Sequence, residues 1–155
     1  MTWCLGERAC VGGLIAVMLS FAWTGMAAQP LRPDWVTDPS SGCRVWNPNP
    51  QGDETITWSG ACRDGLAEGR GVLQWFHNKR PAERYEGEFR AGRENGYGVL
   101  TKPKARYEGE FKDGKAHGLG HYVAPGYNYT GIWADGCFRD GNKVVGIGRD
   151  ASSCP

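Results

Sequence analysis

Three histidines are all the imidazole this 155-residue sequence has, and other equipment of catalysis is equally scarce. No serine stands in a Gly-x-Ser-x-Gly context, so the strand–turn–helix nucleophile of hydrolases is missing. No glycine run ends in Gly-Lys-Ser or Gly-Lys-Thr, so there is no phosphate-cradling loop. No Cys-x-x-Cys pair occurs among the cysteines, which argues against a zinc site. An excess of one charge is lacking too. At a net formal charge of +1, no global field draws the chain to nucleic acid or membrane, and no nucleic-acid partner is expected. The Leu/Ala/Glu/Lys mixture of a helical bundle is also absent.

What the chain does have is glycine (24), tryptophan (7), tyrosine (6) and phenylalanine (5). Glycine is a poor helix former, and aromatic residues favour strands. The composition therefore leans to β-structure with many turns, in a length that suits one ordinary domain.

Residues 1–28 differ from the rest. After Glu7 and Arg8 no charge appears until Arg32, and an apolar run from Val11 to Ala22 gives way to small residues ending at Ala27-Ala28. An apolar core followed by small residues reads as a cleavable export signal, cut after Ala27 or Ala28. The rival is an uncleaved anchor, because the uncharged run approaches bilayer-spanning length. Either way the bulk of the chain is expected outside the cytoplasm, in the periplasm or secreted. Cleavage would remove Cys4 and Cys10 and leave Cys43, Cys62, Cys137 and Cys154. Four cysteines in an exported chain suggest two disulfides, with three possible pairings. The local pairing, Cys43–Cys62 and Cys137–Cys154, is preferred, each bridge contributing up to about 3 kcal/mol.

Self-similarity dominates the remainder. Tyr85-Glu-Gly87-Glu-Phe89, with Gly92, Gly96 and Gly98 after it, is matched 22 residues later by Tyr107-Glu-Gly109-Glu-Phe111, with Gly114, Gly118 and Gly120. An earlier copy starts at Trp58, with Gly60, Cys62, Gly65, Gly69 and Gly71, and its connection to the next carries five extra residues. A fourth starts at Tyr129, with Gly131, Trp133 and Gly136, and then decays. Alternation puts Tyr85, Gly87 and Phe89 on one face of a strand and Glu86 and Glu88 on the other. Gly92 lies in a turn, and Gly96 to Thr101 form the returning strand. Gly98 vacates the place of a large side chain, so that a neighbouring ring can lie against the backbone. One hairpin cannot be stable alone, so stacked hairpins must share aromatic layers.

The pattern Tyr-x-Gly-x-Phe-x-x-Gly-x-x-x-Gly-x-Gly resembles the MORN repeat. The resemblance covers Trp58–Gly71, Tyr85–Gly98, Tyr107–Gly120 and Tyr129–Gly136, and thins out towards residue 148. It departs from the pattern in the first copy, where Trp58 replaces Tyr and Cys62 replaces Phe. It implies an all-β fold, an elongated single-layer antiparallel meander of tandem hairpins, in units 58–84, 85–106, 107–128 and 129–148. It also implies the family's roles in attachment to membrane or phospholipid and in protein scaffolding. Residues 29–57 are expected to form a loop or cap, with turns at Trp46-Asn-Pro48-Asn-Pro50, and residues 149–155 a tail. If Cys43 pairs with Cys62, this segment covers a sheet edge. The run Cys-Arg-Val-Trp-Asn-Pro ahead of Trp-Ser-Gly-Ala-Cys is similar to small exported bacterial MORN proteins.

Candidate chemistry is weak by comparison. His117 and His121 share a strand face but lie roughly 13 Å apart, at about 3.3 Å per residue, and cannot chelate one ion. His77 sits in the longer connection with no nucleophile near it in sequence. Glu86, Glu88, Glu108 and Glu110 fall about 10 Å apart across the sheet, a spacing some glycoside hydrolases use. A flat face without a cleft reads instead as solvated polar surface. No catalytic residue, metal site or cofactor is expected.

One charged feature remains. Lys79, Arg80 and Arg84 are placed in the first connection between hairpins, and Lys102, Lys104 and Arg106 in the second. Both connections emerge on one edge of a meander, where only Glu83 would dilute six cations. Such an edge can meet anionic lipid, an envelope polysaccharide or an acidic protein surface, or simply keep loops soluble and block edge association. The sequence thus points to a non-catalytic module for protein interaction or scaffolding outside the cytoplasm. The alternative is a peripheral binder of anionic lipid or envelope glycan.

Overall fold

The computed structural model describes residues 34–155. The export segment expected at 1–28, with Cys4 and Cys10, lies outside the described residues. The described residues form twelve strands. They are β1 (Asp34–Thr37), β2 (Arg44–Asn47), β3 (Glu54–Trp58), β4 (Ala61–Arg63), β5 (Leu66–His77), β6 (Arg80–Arg90), β7 (Arg93–Lys102), β8 (Ala105–Lys112), β9 (Lys115–Ala124), β10 (Tyr127–Trp133), β11 (Cys137–Asp140) and β12 (Lys143–Gly146). A short 3-10 turn at Ala151–Ser153 follows. From β5 to β10 each strand pairs antiparallel with the next, giving an open meander of consecutive hairpins. Strands β3 and β4 pair with successive parts of β5 and complete the first hairpin.

The turns follow from the dipeptides at their tips. Asp64-Gly65, Asp113-Gly114 and Asp135-Gly136 all have positive φ at both residues, the geometry that matches the twist of flanking strands. Ala91-Gly92 does the same, with Ala91 at φ 48°. On the opposite edge the turns are Asn78-Lys79, Pro103-Lys104 and Pro125-Gly126. The five extra residues of the first connection lengthen a hairpin rather than a loop. They extend β5 and β6 past a bulge between Gln74 and Phe76.

One face of this sheet is built in rows. Glycines form one: Gly71, Gly87, Gly98, Gly109, Gly120 and Gly131 face each other in unbroken cross-strand register. The next row is Trp58, Leu73, Tyr85, Leu100, Tyr107, Tyr122 and Tyr129. The rings of Trp58, Tyr85 and Tyr107 lean over the glycines. A Cβ on Gly87 would stand 2.5 Å from the Tyr85 hydroxyl, and one on Gly109 2.7 Å from that of Tyr107. Register shifts after Gly87 and Gly109 turn a carbonyl towards each ring. The Tyr85 hydroxyl donates to the Glu88 carbonyl at 3.2 Å, and Tyr107 to Glu110 at 3.0 Å. Trp58 copies this with its indole N–H, which donates to the Ala61 carbonyl at 2.8 Å.

The aromatic residue that opens each unit packs on the second aromatic of the next. Ring centroids are 4.6 Å apart for Trp58–Phe89, 5.0 Å for Tyr85–Phe111 and 4.9 Å for Tyr107–Trp133. Burying an aromatic side chain is worth about 2–3 kcal/mol, so each unit depends on its neighbour. This pattern explains the departures at both ends. Cys62 stands where Phe89 and Phe111 stand, but no earlier unit offers it a ring. It faces Cys43 instead, at a Cα–Cα distance of 5.7 Å. At the other end it is Phe138 that stacks on Tyr129 and Trp133, at 5.4 and 5.2 Å. The second half of the fourth unit decays because β11 leaves the sheet to pair with β12.

Both ends therefore carry a cap. Where the sequence reading expected a loop or cap over residues 29–57, the described part carries β1, β2 and most of β3. Strands β1 and β2 form a hairpin bound to the turn edge, with the Arg44 amide on the Gly65 carbonyl at 3.0 Å and the Trp46 amide on that of Gly92 at 2.8 Å. This hairpin sends Cys43 and Val45 into the core. The loop after β1 is held by Asp38, whose buried carboxylate accepts from the Ser40 and Ser41 hydroxyls at 2.9 and 2.6 Å and the Trp58 amide at 3.3 Å. Burial works against the charge. The hydroxyls of Ser41 and Ser40 and the Ser40 and Trp58 amides outweigh it and hold the carboxyl below its ordinary value. At the C-terminal end Ile147 is buried against the Gly136 and Ala116 backbones, and Cys137 faces Cys154 at a Cα–Cα distance of 5.7 Å.

Candidate functional site

The two caps leave a cleft of about 670 Å³ on the aromatic face. Its N-terminal side is Trp46, Asn47 and Pro48, where β2 leaves the cap. Its C-terminal side is Gly146 to Asp150. Trp75 and Phe76 of β5, Leu100 of β7 and Phe111 of β8 supply apolar lining. The volume falls within the range typical of small-ligand and side-chain sites, about 300–1,000 Å³.

Glu94 lies in this cleft and breaks the repeat. The second residue of each returning strand, two places after the turn glycine, is Ala67, Glu94, Ala116 and Phe138 in successive units. Ala67 and Ala116 are fully buried, and Glu94 faces Phe89 across the strands. Burial raises its carboxyl to about 7. Its own backbone amide, Arg93 and Lys102 pull it down, while Glu83 pushes it further up. The alignment of the units held the signal, an acid at an alanine position, but composition and motif reasoning passed over it. The cleft itself could not be read from the repeat, because the caps that build its ends lie outside the pattern.

The structure revises the basic edge. Arg80, Arg84, Lys102 and Arg106 lie within strands, and only Lys79 and Lys104 occupy the connections. Three of the six cations are paired: Lys102 with Glu83 at 2.7 Å, Arg84 with Glu86 at 2.9 Å and Arg106 with Glu108 at 2.6 Å. Glu86 and Glu108 thus dilute the edge as much as Glu83 does, which the sequence reading did not foresee. Lys79, Arg80 and Lys104 make no ion pair among the described residues. His77 sits at the end of β5 rather than in a loop.

On the polar face, Glu108 also accepts from the Tyr97 hydroxyl at 2.6 Å. That bond, followed by those from Arg106, holds its carboxyl below the ordinary range. The His121 ring meets the Asn128 side-chain oxygen at 2.8 Å. Among the described residues no group of histidine, cysteine and carboxylate side chains has the arrangement of a metal site.

The MORN repeat model matches the chain at residues 59–76, 85–104 and 107–128. Within residues 59–128 this chain carries MORN repeats. The three matches are the three hairpin units that keep both of their strands in the sheet, and the truncated unit from Tyr129 falls outside them. MORN repeats are non-catalytic modules, generally associated with binding to proteins or membrane lipid. No curated protein matches this MORN chain. Both cysteine pairs stand at disulfide distance, which accords with an oxidising compartment.

Proposed function

We propose that this MORN protein is a non-catalytic interaction module that works outside the cytoplasm and engages a protein partner through the cleft on its aromatic face. The cleft carries the reading. The rings of the repeat face stack on one another along the units, and here the two caps expose apolar lining beside polar groups. A site of that make-up suits the anchoring side chains of a protein partner. Export is supported by the two cysteine pairs and by the apolar run at 11–22.

The test is cross-linking in living cells, with a photoreactive phenylalanine analogue placed at Trp75, at Leu100 or, on the polar face, at Val99. A single protein adduct from positions 75 and 100 but not 99 is expected. Equal yields from all three positions would contradict the reading.

Binding to an anionic lipid or envelope glycan is the second reading, favoured by Lys79, Arg80 and Lys104 on one edge, which make no ion pair among the described residues. Co-sedimentation with anionic vesicles, weakened by salt and by Lys79→Ala/Arg80→Ala/Lys104→Ala, would support it. Absence of vesicle binding would leave that edge as a solubility device.

A further inference from the structure

We propose that the cleft receives a lysine- or arginine-bearing segment of the partner protein, with Glu94 as the carboxylate that pairs with the incoming cation. The proposal rests on the protein-interaction reading above and names the chemistry it would recognise.

Glu94 has no structural task that explains it. Its repeat position is filled by buried alanine in the units before and after it, and the hairpins there form equally well. A carboxylate beside Phe89 and Phe111 is a cost to folding unless something compensates the charge. The cations around the cleft are engaged elsewhere. Lys102 is bound to Glu83 at 2.7 Å, and Arg149 to Asp135 at 3.0 Å. Arg93 lies over the Trp46 ring at 4.4 Å. The other carboxylates of the lining are also occupied. Glu83 holds Lys102, Glu54 accepts from Asn47 and Gln51, and Asp150 accepts from the Ser152 amide. Glu94 feels Arg93 and Lys102 but forms no ion pair with either, and makes none among the described residues.

The lining carries four carboxylates, Glu54, Glu83, Glu94 and Asp150, against two cations, Lys102 and Arg149. An entering cation is therefore favoured over an anion. Trp75, Phe76 and Leu100 offer apolar surface for the methylene stem of lysine or arginine, and the aromatic faces attract its charged head. Binding of a cation would stabilise the ionised form of Glu94, so the complex should tighten as pH rises through 7. The charged groups facing it are Glu83 on β6, Arg93 and Lys102 on β7, and Arg149 and Asp150 beyond β12, with Glu54 and His77 at the rim.

The experiment sorts a random twelve-residue peptide display library against the full chain at pH 8. Synthetic versions of the selected peptides are then titrated against wild type, Glu94→Ala and Trp75→Ala. Glu94→Ala restores the residue of the neighbouring units, so the variant should fold. The expected peptides carry lysine or arginine at a fixed place and lose about tenfold or more in affinity to both variants. Peptides that depend on Trp75 but lack a basic residue, or that bind Glu94→Ala equally well, would overturn this inference and leave the protein-interaction reading standing. Selection of no peptide that depends on Trp75 would overturn both.

Discussion

Gly98→Ala is a substitution that strand propensity alone would favour, and the structure predicts the opposite. Gly98 is a strand residue with ordinary extended backbone. Replacing glycine with alanine there would gain about 0.5–1 kcal/mol from reduced freedom of the unfolded chain. The new Cβ would meet the Tyr85 ring, with its Cε2 2.6 Å away. Tyr85 is fully buried and cannot step aside without leaving Phe89 and Phe111, at 5.3 and 5.0 Å. Overpacking of this kind costs about 1–3 kcal/mol. Weakening two aromatic contacts adds about 0.5–1.5 kcal/mol each. Loss of the hydroxyl's bond to Glu88 adds about 1 kcal/mol. The net expectation is destabilisation of about 2–6 kcal/mol, a large share of the stability of a small domain. Urea unfolding followed by tryptophan fluorescence measures it. Gly52→Ala, where nothing lies within 4 Å of the added methyl, should keep the unfolded-chain gain and stabilise by about 0.4–1 kcal/mol. If Gly98→Ala proved as stable as the wild type, the ring-over-glycine account of the repeat would be refuted.

Other consequences are as direct. Glu94 keeps its proton in the folded state up to about pH 7, whereas the unfolded carboxyl loses it near 4.5. Stability from the raised value is thus fully present below 4.5 and is lost as pH rises through 7. Glu94→Ala should therefore exceed wild type by about 2 kcal/mol at pH 8 in urea unfolding, with the gap closing towards pH 4.5. Asp38 has the opposite sign. Its lowered value supports folding at neutral pH, and that support is lost as pH falls below the ordinary aspartate range. Asp38→Ala should cost about 2–3 kcal/mol at pH 7 by stranding the Trp58 amide and the serine hydroxyls, and thermal melts across pH 2–7 would show the difference shrinking in acid. The protein recovered from the cell exterior should weigh four hydrogens less than its fully reduced form. Reduction of Cys137–Cys154, which closes a separation of 17 residues, should lower stability by up to about 3 kcal/mol.

The repeat was legible because its rules are local. Tyr85, Gly87, Phe89 and Gly98 recur at fixed spacing, and each has one physical job, so the hairpins and their apolar face follow from the residues alone. The ends were legible only in part. Cys62 and the decay after Gly136 marked where the pattern fails, but nothing local says that β1 and β2 bind the turn edge or that Phe138 folds back onto Tyr129. Those contacts join segments with no shared periodicity. The pairing of Lys102 with Glu83, of Arg84 with Glu86 and of Arg106 with Glu108 depends on register and bulges, so placing charges in connections by counting residues overstated the free charge of the edge. Glu94 was visible in the alignment as an acid among alanines. Its meaning needed the cleft, and the cleft needed both caps.

The most direct test of the account is amide hydrogen exchange on the protein with and without the partner captured by cross-linking at Trp75. Slowed exchange confined to Trp75–His77, Glu94–Leu100 and Gly146–Asp150 is the predicted result. Slowing at the Asn78-Lys79 and Pro103-Lys104 turns, with the cleft unchanged, would place the partner on the basic edge and contradict it.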